Sequence, residues 1–297
     1  RVNLRGDRWK AYAGEALEIE AWLLNDKPVP LENAKIVATL RSDREDYGSY
    51  EINGSVAEAT SKYAGTIRFR MPDVADRKTV YFDACLYNEQ GEKINEERFE
   101  MEVLSRKQPK AKIAYVGKEA EQFGQLLGLN GNALEAESSE APQTIIVSSP
   151  EAFRGQADSV LKAVEQGAKA LFIRSGDESY EWSIGGEEIR PAKFKRVYTL
   201  AVNQEDPRLT WMKQDDLAYL YNEKTDMIDM ISDLQVEGND IEPLVFGYKK
   251  RGSEKLKCPV IGKKAYGQGE LLFSMMPWEG FVGCNPTLDR MFVSLIG

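Results

Sequence analysis

The sequence predicts two folds in series: an all-β sandwich over residues 1–104 and an α/β domain with a parallel sheet over residues 113–297, joined by a linker at 105–112. Three observations carry this reading. The first hundred or so residues alternate apolar and polar with period two; the basic, proline-containing "SRKQPKAK" interrupts the pattern; and beyond it short, wholly apolar runs alternate with stretches of helical spacing.

The strands of the first part follow one another between turn clusters. "ALEIEAWLL" places Leu17, Ile19, Ala21 and Leu23 on one face, "AKIVATL" follows the turn in "NDKPVPLEN", and "GTIRFRM" and "TVYFDACLY" alternate in the same way. "NEQGEKI" supplies a hairpin between "VYFDACLY" and "NEERFEMEVL". Half-buried antiparallel strands at this spacing predict an immunoglobulin-like sandwich, although the Cys-Trp-Cys pattern of antibody domains is missing.

In the second part "IAYVG" is a compact apolar strand, "KEAEQFGQLLGLNG" a helix with a glycine stop, and "TIIVSSP" a second buried strand. "EAFRGQADSVLKAVEQG" has Val160, Leu161 and Val164 at helical spacing and ends at Gly167; "KALFIRSG" is the third strand. This alternation predicts a flavodoxin-like, doubly wound sheet with helices on both faces. The tail differs. "PVIGKKAYGQGELLFSMMPW" reads as an antiparallel hairpin around "YGQG", and "NPTLDRMFVSLIG" as a closing helix started by Asn285 and Pro286.

Bulk properties narrow the function. A length of 297 residues suits two domains, and 42% hydrophobic residues can fill two cores. With 48 acidic against 39 basic side chains the net charge is -9, which repels phosphate backbones, so nucleic acid is not an expected partner. No apolar run approaches the roughly 20 residues that span a bilayer, and no membrane partner is expected. The opening "RVNLRGDRWKAYAGEALEIE" reads as the start of an excised C-terminal piece. Cys85, Cys258 and Cys284 are too few and too scattered for a disulfide framework. The chain has no histidine, which removes Ser-His-Asp and Cys-His-Glu triads and the usual zinc sites together.

In parallel sheets ligands gather where strands end at their carboxyl ends, here after Val116, Val147 and Ile173. Neither G-x-G-x-x-G nor G-x-x-x-x-G-K-S/T occurs there, and no cofactor or metal is expected. The turn "IRSGDES" raises the question of a nucleophile. Ser175 there needs a base, and Lys169 stands at the wrong end of the strand to serve, so Arg174, Ser175 and Gly176 read as a turn that has kept its shape, with Arg174 placed to pair with a neighbouring carboxylate. Asp215-Asp216 and Glu187-Glu188 read as solvated charge, since adjacent residues on one segment do not flank a glycosidic bond. Tyr180, Trp182, Trp211, Tyr219 and Tyr221 are dense enough to include a sugar-stacking platform; core packing is the competing reading.

The opening "GDRWKAYAGEALEIEAWLLNDKPVPLENAKIVATL" resembles the immunoglobulin-like module that follows the catalytic barrel of some bacterial family 2 glycoside hydrolases, and the second half, ending in "YGQGELLFSMMPW" and "NPTLDRMFVSLI", resembles the class I glutamine amidotransferase-like domain that accompanies them. That resemblance places a cysteine nucleophile in a G-x-C-x-G turn after the third strand. Setting Gly176 on its second glycine puts Arg174 on the cysteine and Phe172 on the first glycine, so no catalytic residue carries over. What it implies is a non-catalytic accessory region that braces an upstream barrel and mediates interdomain or subunit contacts, with the catalytic domain of the same polypeptide, a second copy and carbohydrate as partners and a periplasmic or secreted setting. Two alternatives stay open: a carbohydrate-binding module using the aromatics, and an independent amidotransferase-like enzyme using Ser175 or a cysteine.

Overall fold

The computed structural model describes residues 1–6, 9–134, 142–174, 181–197, 199–222, 225, 227–228, 232–251 and 253–297. The chain divides into two compact units, Arg1–Arg106 and Lys107–Gly297.

The first unit is built from β1 (Val2–Arg5), β2 (Lys10–Tyr12), β3 (Ala16–Asn25), β4 (Leu31–Arg41), β5 (Asp46–Val56), β6 (Thr60–Arg70), β7 (Arg77–Tyr87) and β8 (Lys93–Leu104). They form a three-stranded sheet ordered β1-β3-β6 and a five-stranded sheet ordered β2-β8-β7-β4-β5; β2 runs parallel to β8 and the other pairs are antiparallel. The period-two pattern becomes burial: Leu17, Ile19, Ala21 and Leu23 of one sheet and Val80, Phe82, Ala84 and Leu86 of the other enter one shared core, where the Phe69 and Phe82 rings lie 5.4 Å apart. The hairpin joining β7 to β8 is organised by Asn88, whose Oδ1 accepts from the backbone N–H of Gln90 (3.1 Å) and of Glu92 (2.8 Å). This is a β-sandwich.

The second unit comprises β9 (Ile113–Val116), α1 (Lys118–Leu126), β10 (Gly131–Ala133), β11 (Thr144–Val147), α2 (Pro150–Glu165), β12 (Lys169–Ile173), β13 (Trp182–Ile184), β14 (Glu187–Val197), β15 (Ala201–Val202), β16 (Tyr221–Asn222), β17 (Met227–Ile228), β18 (Ser232–Glu237), β19 (Glu242–Arg251), β20 (Glu254–Tyr266), β21 (Gly269–Ser274) and α3 (Pro286–Ile296). Its main sheet has eight strands in the order β10-β9-β11-β12-β21-β20-β19-β15. The first five are mutually parallel and the last three continue antiparallel.

The expected doubly wound, flavodoxin-like sheet is therefore corrected. Helices alternate with strands only as far as β12; from there to β21 the described residues form strands and turns, including a separate β13-β14-β18 sheet and the small β16-β17 ribbon. Among the described residues strand outweighs helix, 52% against 13%, so the structure is mostly β. The physical reason is that residues 182–266 supply hairpins and period-two burial, as in β18 where Ser232, Leu234 and Val236 turn inward, rather than a third helical face.

Local signals set the helices. Ser149 caps α2, its Oγ accepting from Ala152 N–H at 3.0 Å with Pro150 as the first helical residue. Asn285 caps α3 by accepting from Thr287 and Leu288 N–H, both at 3.1 Å. Apart from Ser294, every α3 side chain from Pro286 to Ile296 is buried. At the start of β21 only glycine fits, because a Cβ on Gly269 would lie 2.0 Å from the carbonyl oxygen of Ala168.

Candidate functional site

The parallel strands β9, β11, β12 and β21 run in one direction, so the residues after them (Gly117, Ser148, Arg174 and Met275) emerge on one edge of the sheet. Gly117 turns into α1 with φ +100°, and a Cβ there would approach Ser148 Oγ to 2.3 Å. Ser148 is fully buried and its hydroxyl donates to Glu119 Oε2 at 3.2 Å, tying the loop after β11 to the first turn of α1. Arg174 is held by its backbone, whose N–H donates to Ser274 O at 3.2 Å.

These loops enclose a crevice of about 540 Å3. Phe123 and Leu126 of α1 and Pro277 and Trp278 after β21 give apolar walls; Arg174, Glu119, Gln122 and Glu279 give polar ones. Trp278 is a floor rather than a stacking face, being fully buried, edge-on to Phe292 at 5.1 Å and bonded through Nε1–H to Ser274 Oγ at 3.0 Å. Arg174 is half-buried, and among the described residues its guanidinium makes no ion pair or hydrogen bond; Asp177 and Glu178, the nearest carboxylates along the chain, lie outside the described residues. Ser175 and Gly176, the rest of the turn, lie outside the described residues.

The groups needed to replace a catalytic cysteine are not gathered in the described part of this crevice. Lys169 opens β12, four residues and about 13 Å of strand from Ile173. Its Nζ donates to the carbonyl of Gly297, and burial lowers its pKa from the ordinary lysine value. Cys258 is buried, and that burial pushes its thiol up, away from the reactive thiolate. Cys284, half-buried, has Sγ 3.3 Å from Gly280 O, and Cys85 is a half-buried free cysteine of the sandwich.

A second polar cluster, which sequence reasoning missed, lies at the opposite, amino edge of the parallel strands. Asp206, its side chain 2% exposed, accepts from Arg208 Nε and Nη2, both at 2.8 Å, and from Lys263 Nζ at 3.0 Å. Arg208 Nη1 then reaches Glu270 Oε1 at 2.5 Å, and Lys263 reaches Glu242 at 3.2 Å. The Arg208 guanidinium, with Lys263 behind it, outweighs burial and holds the Asp206 carboxyl well below the usual carboxylate range. Lys169, Glu242, Lys263 and Glu270 line a cavity of about 730 Å3 beside it. Arg208 and Lys263 are already paired, so this is a structural ion network joining the long segment before β16 to β20 and β21. A signal was available in "NQEDPRLTW", where an aspartate two residues before an arginine can turn the chain and pair with it.

The aromatic candidates are dispersed. Trp182 is 1% exposed, packed edge-on against Phe172 (4.7 Å) and Phe153 (5.8 Å), and offers no ring face to a ligand. Trp211 carries the Arg290 guanidinium 4.2 Å from its ring, and its Nε1–H donates to Arg208 O at 3.0 Å. Tyr219 (65% exposed) and Tyr221 stand at the surface near β16, and Tyr180 lies outside the described residues. Core packing thus explains Trp182. Of the acidic pairs, Glu187 is bound by Lys264 and by Asn239 N–H, and Asp216 is buried, accepting from Lys213 N–H at 2.8 Å. Among the described residues no group of three or more His, Cys, Asp or Glu side chains could hold a metal ion, and no helix is long and apolar enough to cross a membrane.

No protein-family model matches the chain, and no curated protein matches it. Solved structures do. A CARDB domain from Pyrococcus furiosus is similar at 14% identity and TM-score 0.27, over 35% of this chain and 89% of that one. A cycloisomaltooligosaccharide glucanotransferase from Paenibacillus sp. is similar at 10% identity and TM-score 0.29, over 57% of this chain and 27% of the enzyme. β-Glucuronidase 2 from Bacteroides uniformis is similar at 9% identity and TM-score 0.27, over 58% of this chain and 23% of the enzyme. The chain thus spans about a quarter of the length of the two enzymes. At these TM-scores the likenesses carry no functional weight.

Proposed function

We propose that the chain is a non-catalytic accessory region of a carbohydrate-active glycoside hydrolase, a sandwich and a modified amidotransferase-like domain that brace a catalytic barrel elsewhere in the polypeptide and contribute interdomain or subunit contacts. One observation carries the proposal. Arg174 stands at the carboxyl end of β12, where the resemblance calls for a nucleophile, in a chain with no histidine to activate a substitute. The amidotransferase-like affiliation belongs to the proposal and rests on the resemblance carried by "YGQGELLFSMMPW" and "NPTLDRMFVSLI".

The gene upstream of Arg1 tests the setting: a glycosidase barrel in frame is expected, and an open frame without one contradicts the proposal. In the parent enzyme, deleting residues 1–297 is expected to lower the thermal midpoint of the remaining barrel by at least about 3 °C, the shift that about 1 kcal/mol gives in a domain of ordinary size. An unchanged midpoint together with an unchanged mass by light scattering contradicts bracing.

A further inference from the structure

The geometry points to the crevice beside Arg174 as a non-catalytic binding site for a carboxylate-bearing sugar, a hexuronate unit. Its volume of about 540 Å3 falls within the ordinary range for small-molecule sites, and its place at the carboxyl edge of parallel strands is where such sheets hold ligands. What selects the ligand is the mixture of walls. Arg174 presents a planar fork of donors that is not spent on any described residue, and a guanidinium is matched bidentately by a carboxylate.

Glu119 and Glu279 stand in the same crevice. Two carboxylates disfavour a compact dianion such as phosphate and suit a monoanion that also brings hydroxyl donors. Glu119 already accepts the Ser148 hydroxyl on Oε2, which fixes it as an acceptor on the rim of α1. Gln122 adds an amide able to donate and accept, and Phe123 and Leu126 give the apolar surface that the C–H face of a sugar ring requires. The choice of a sugar among hydroxylated carboxylates rests on the carbohydrate-active reading above; the need for a carboxylate rests on Arg174 alone.

Isothermal titration of the intact chain with glucuronate and galacturonate tests this, with glucose and galactose as neutral controls and glutamate and inorganic phosphate as anionic ones. A uronate is expected to bind at least about tenfold more tightly than its neutral sugar, the scale of one hydrogen-bonded charge pair. Arg174→Ala and Arg174→Lys are both expected to abolish that preference, since lysine supplies the charge without the fork, while the urea unfolding midpoint of each variant stays at the wild-type value. Absence of heat with either uronate, equal affinity for uronate and neutral sugar, full binding retained in Arg174→Ala, or glutamate or phosphate binding as tightly as the uronates overturns the inference. Sugar turnover by the chain would instead overturn the accessory reading and leave the binding site standing, so the two failures are distinguishable.

Discussion

Replacing Asp206 by alanine is expected to destabilise the second unit by about 3–5 kcal/mol, the cost of breaking a buried ion pair by removing one partner. Asp206 is the node at which Arg208 and Lys263 meet, with its own side chain 2% exposed and that of Arg208 14% exposed. Alanine leaves a guanidinium and an ammonium together without the central carboxylate, and Glu270 and Glu242 neutralise them only from the periphery. The effect carries a pH dependence of known sign. Because the folded-state pKa of Asp206 is depressed, its contribution is complete above the unfolded-state value near about 3.9 and is lost as pH falls through the lower folded-state value. Urea unfolding followed by tryptophan fluorescence is expected to show the full gap between wild type and variant at neutral pH and a shrinking gap below about pH 4. Three of the five tryptophans, Trp182, Trp211 and Trp278, lie in this unit, and Trp9 and Trp22 lie in the other, so the part of the signal that differs between wild type and variant reports the second unit. A gap independent of pH contradicts the assigned network.

Trp182→Ala is expected to cost a similar about 3–5 kcal/mol, through the cavity left where its ring meets Phe153 and Phe172. Phe172 is itself stacked on Phe273 at 5.0 Å, so the loss spreads into the centre of the sheet. Tyr219→Ala, at an exposed position, is expected to change stability by less than about 0.5 kcal/mol. The pair separates packing from recognition. If Trp182 formed part of a sugar platform, its removal would weaken glycan binding in the molecules that remain folded; here titration of folded protein is expected to show the same uronate affinity as wild type.

What the sequence made legible follows from how each element is buried. Strands with one wet face, such as β3 and β7, declare themselves by alternation, and short fully buried strands such as β9, β11 and β12 by unbroken apolar runs. The cap signal at Ser149 and Pro150 was hidden by the apolar run of β11 just before it, whereas the same signal at Asn285 could be read because a capping side chain and a following proline act within a few residues. β5 escaped notice for the opposite reason. It is an edge strand, "DYGSYEINGSV", mostly exposed, held by cross-strand partners on β4 that no local pattern records. The hairpin around "YGQG" could be read and is formed by β20 and β21, whereas the stretch from 182 to 258 carried no reading, because the choice between a further βαβ unit and a run of hairpins depends on which distant strand each segment meets.

The site was legible in what it lacks. The missing histidine and Arg174 at the end of its strand are properties of the sequence, whereas the crevice around Arg174 is assembled from α1, the end of β12 and the loop after β21, segments up to about 160 residues apart along the chain. The aromatic residues show the same limit from the other side. Their density is a sequence property, but only the fold decides that Trp182 faces the core while Tyr219 faces solvent.

The central claim is that this chain carries no catalytic site of its own, and assay of the purified chain against a panel of p-nitrophenyl glycosides and against glutamine tests it most directly. No product above the buffer control is predicted at any protein concentration. Turnover that rises in proportion to protein and disappears in Ser175→Ala, Cys258→Ala or Cys284→Ala would contradict it.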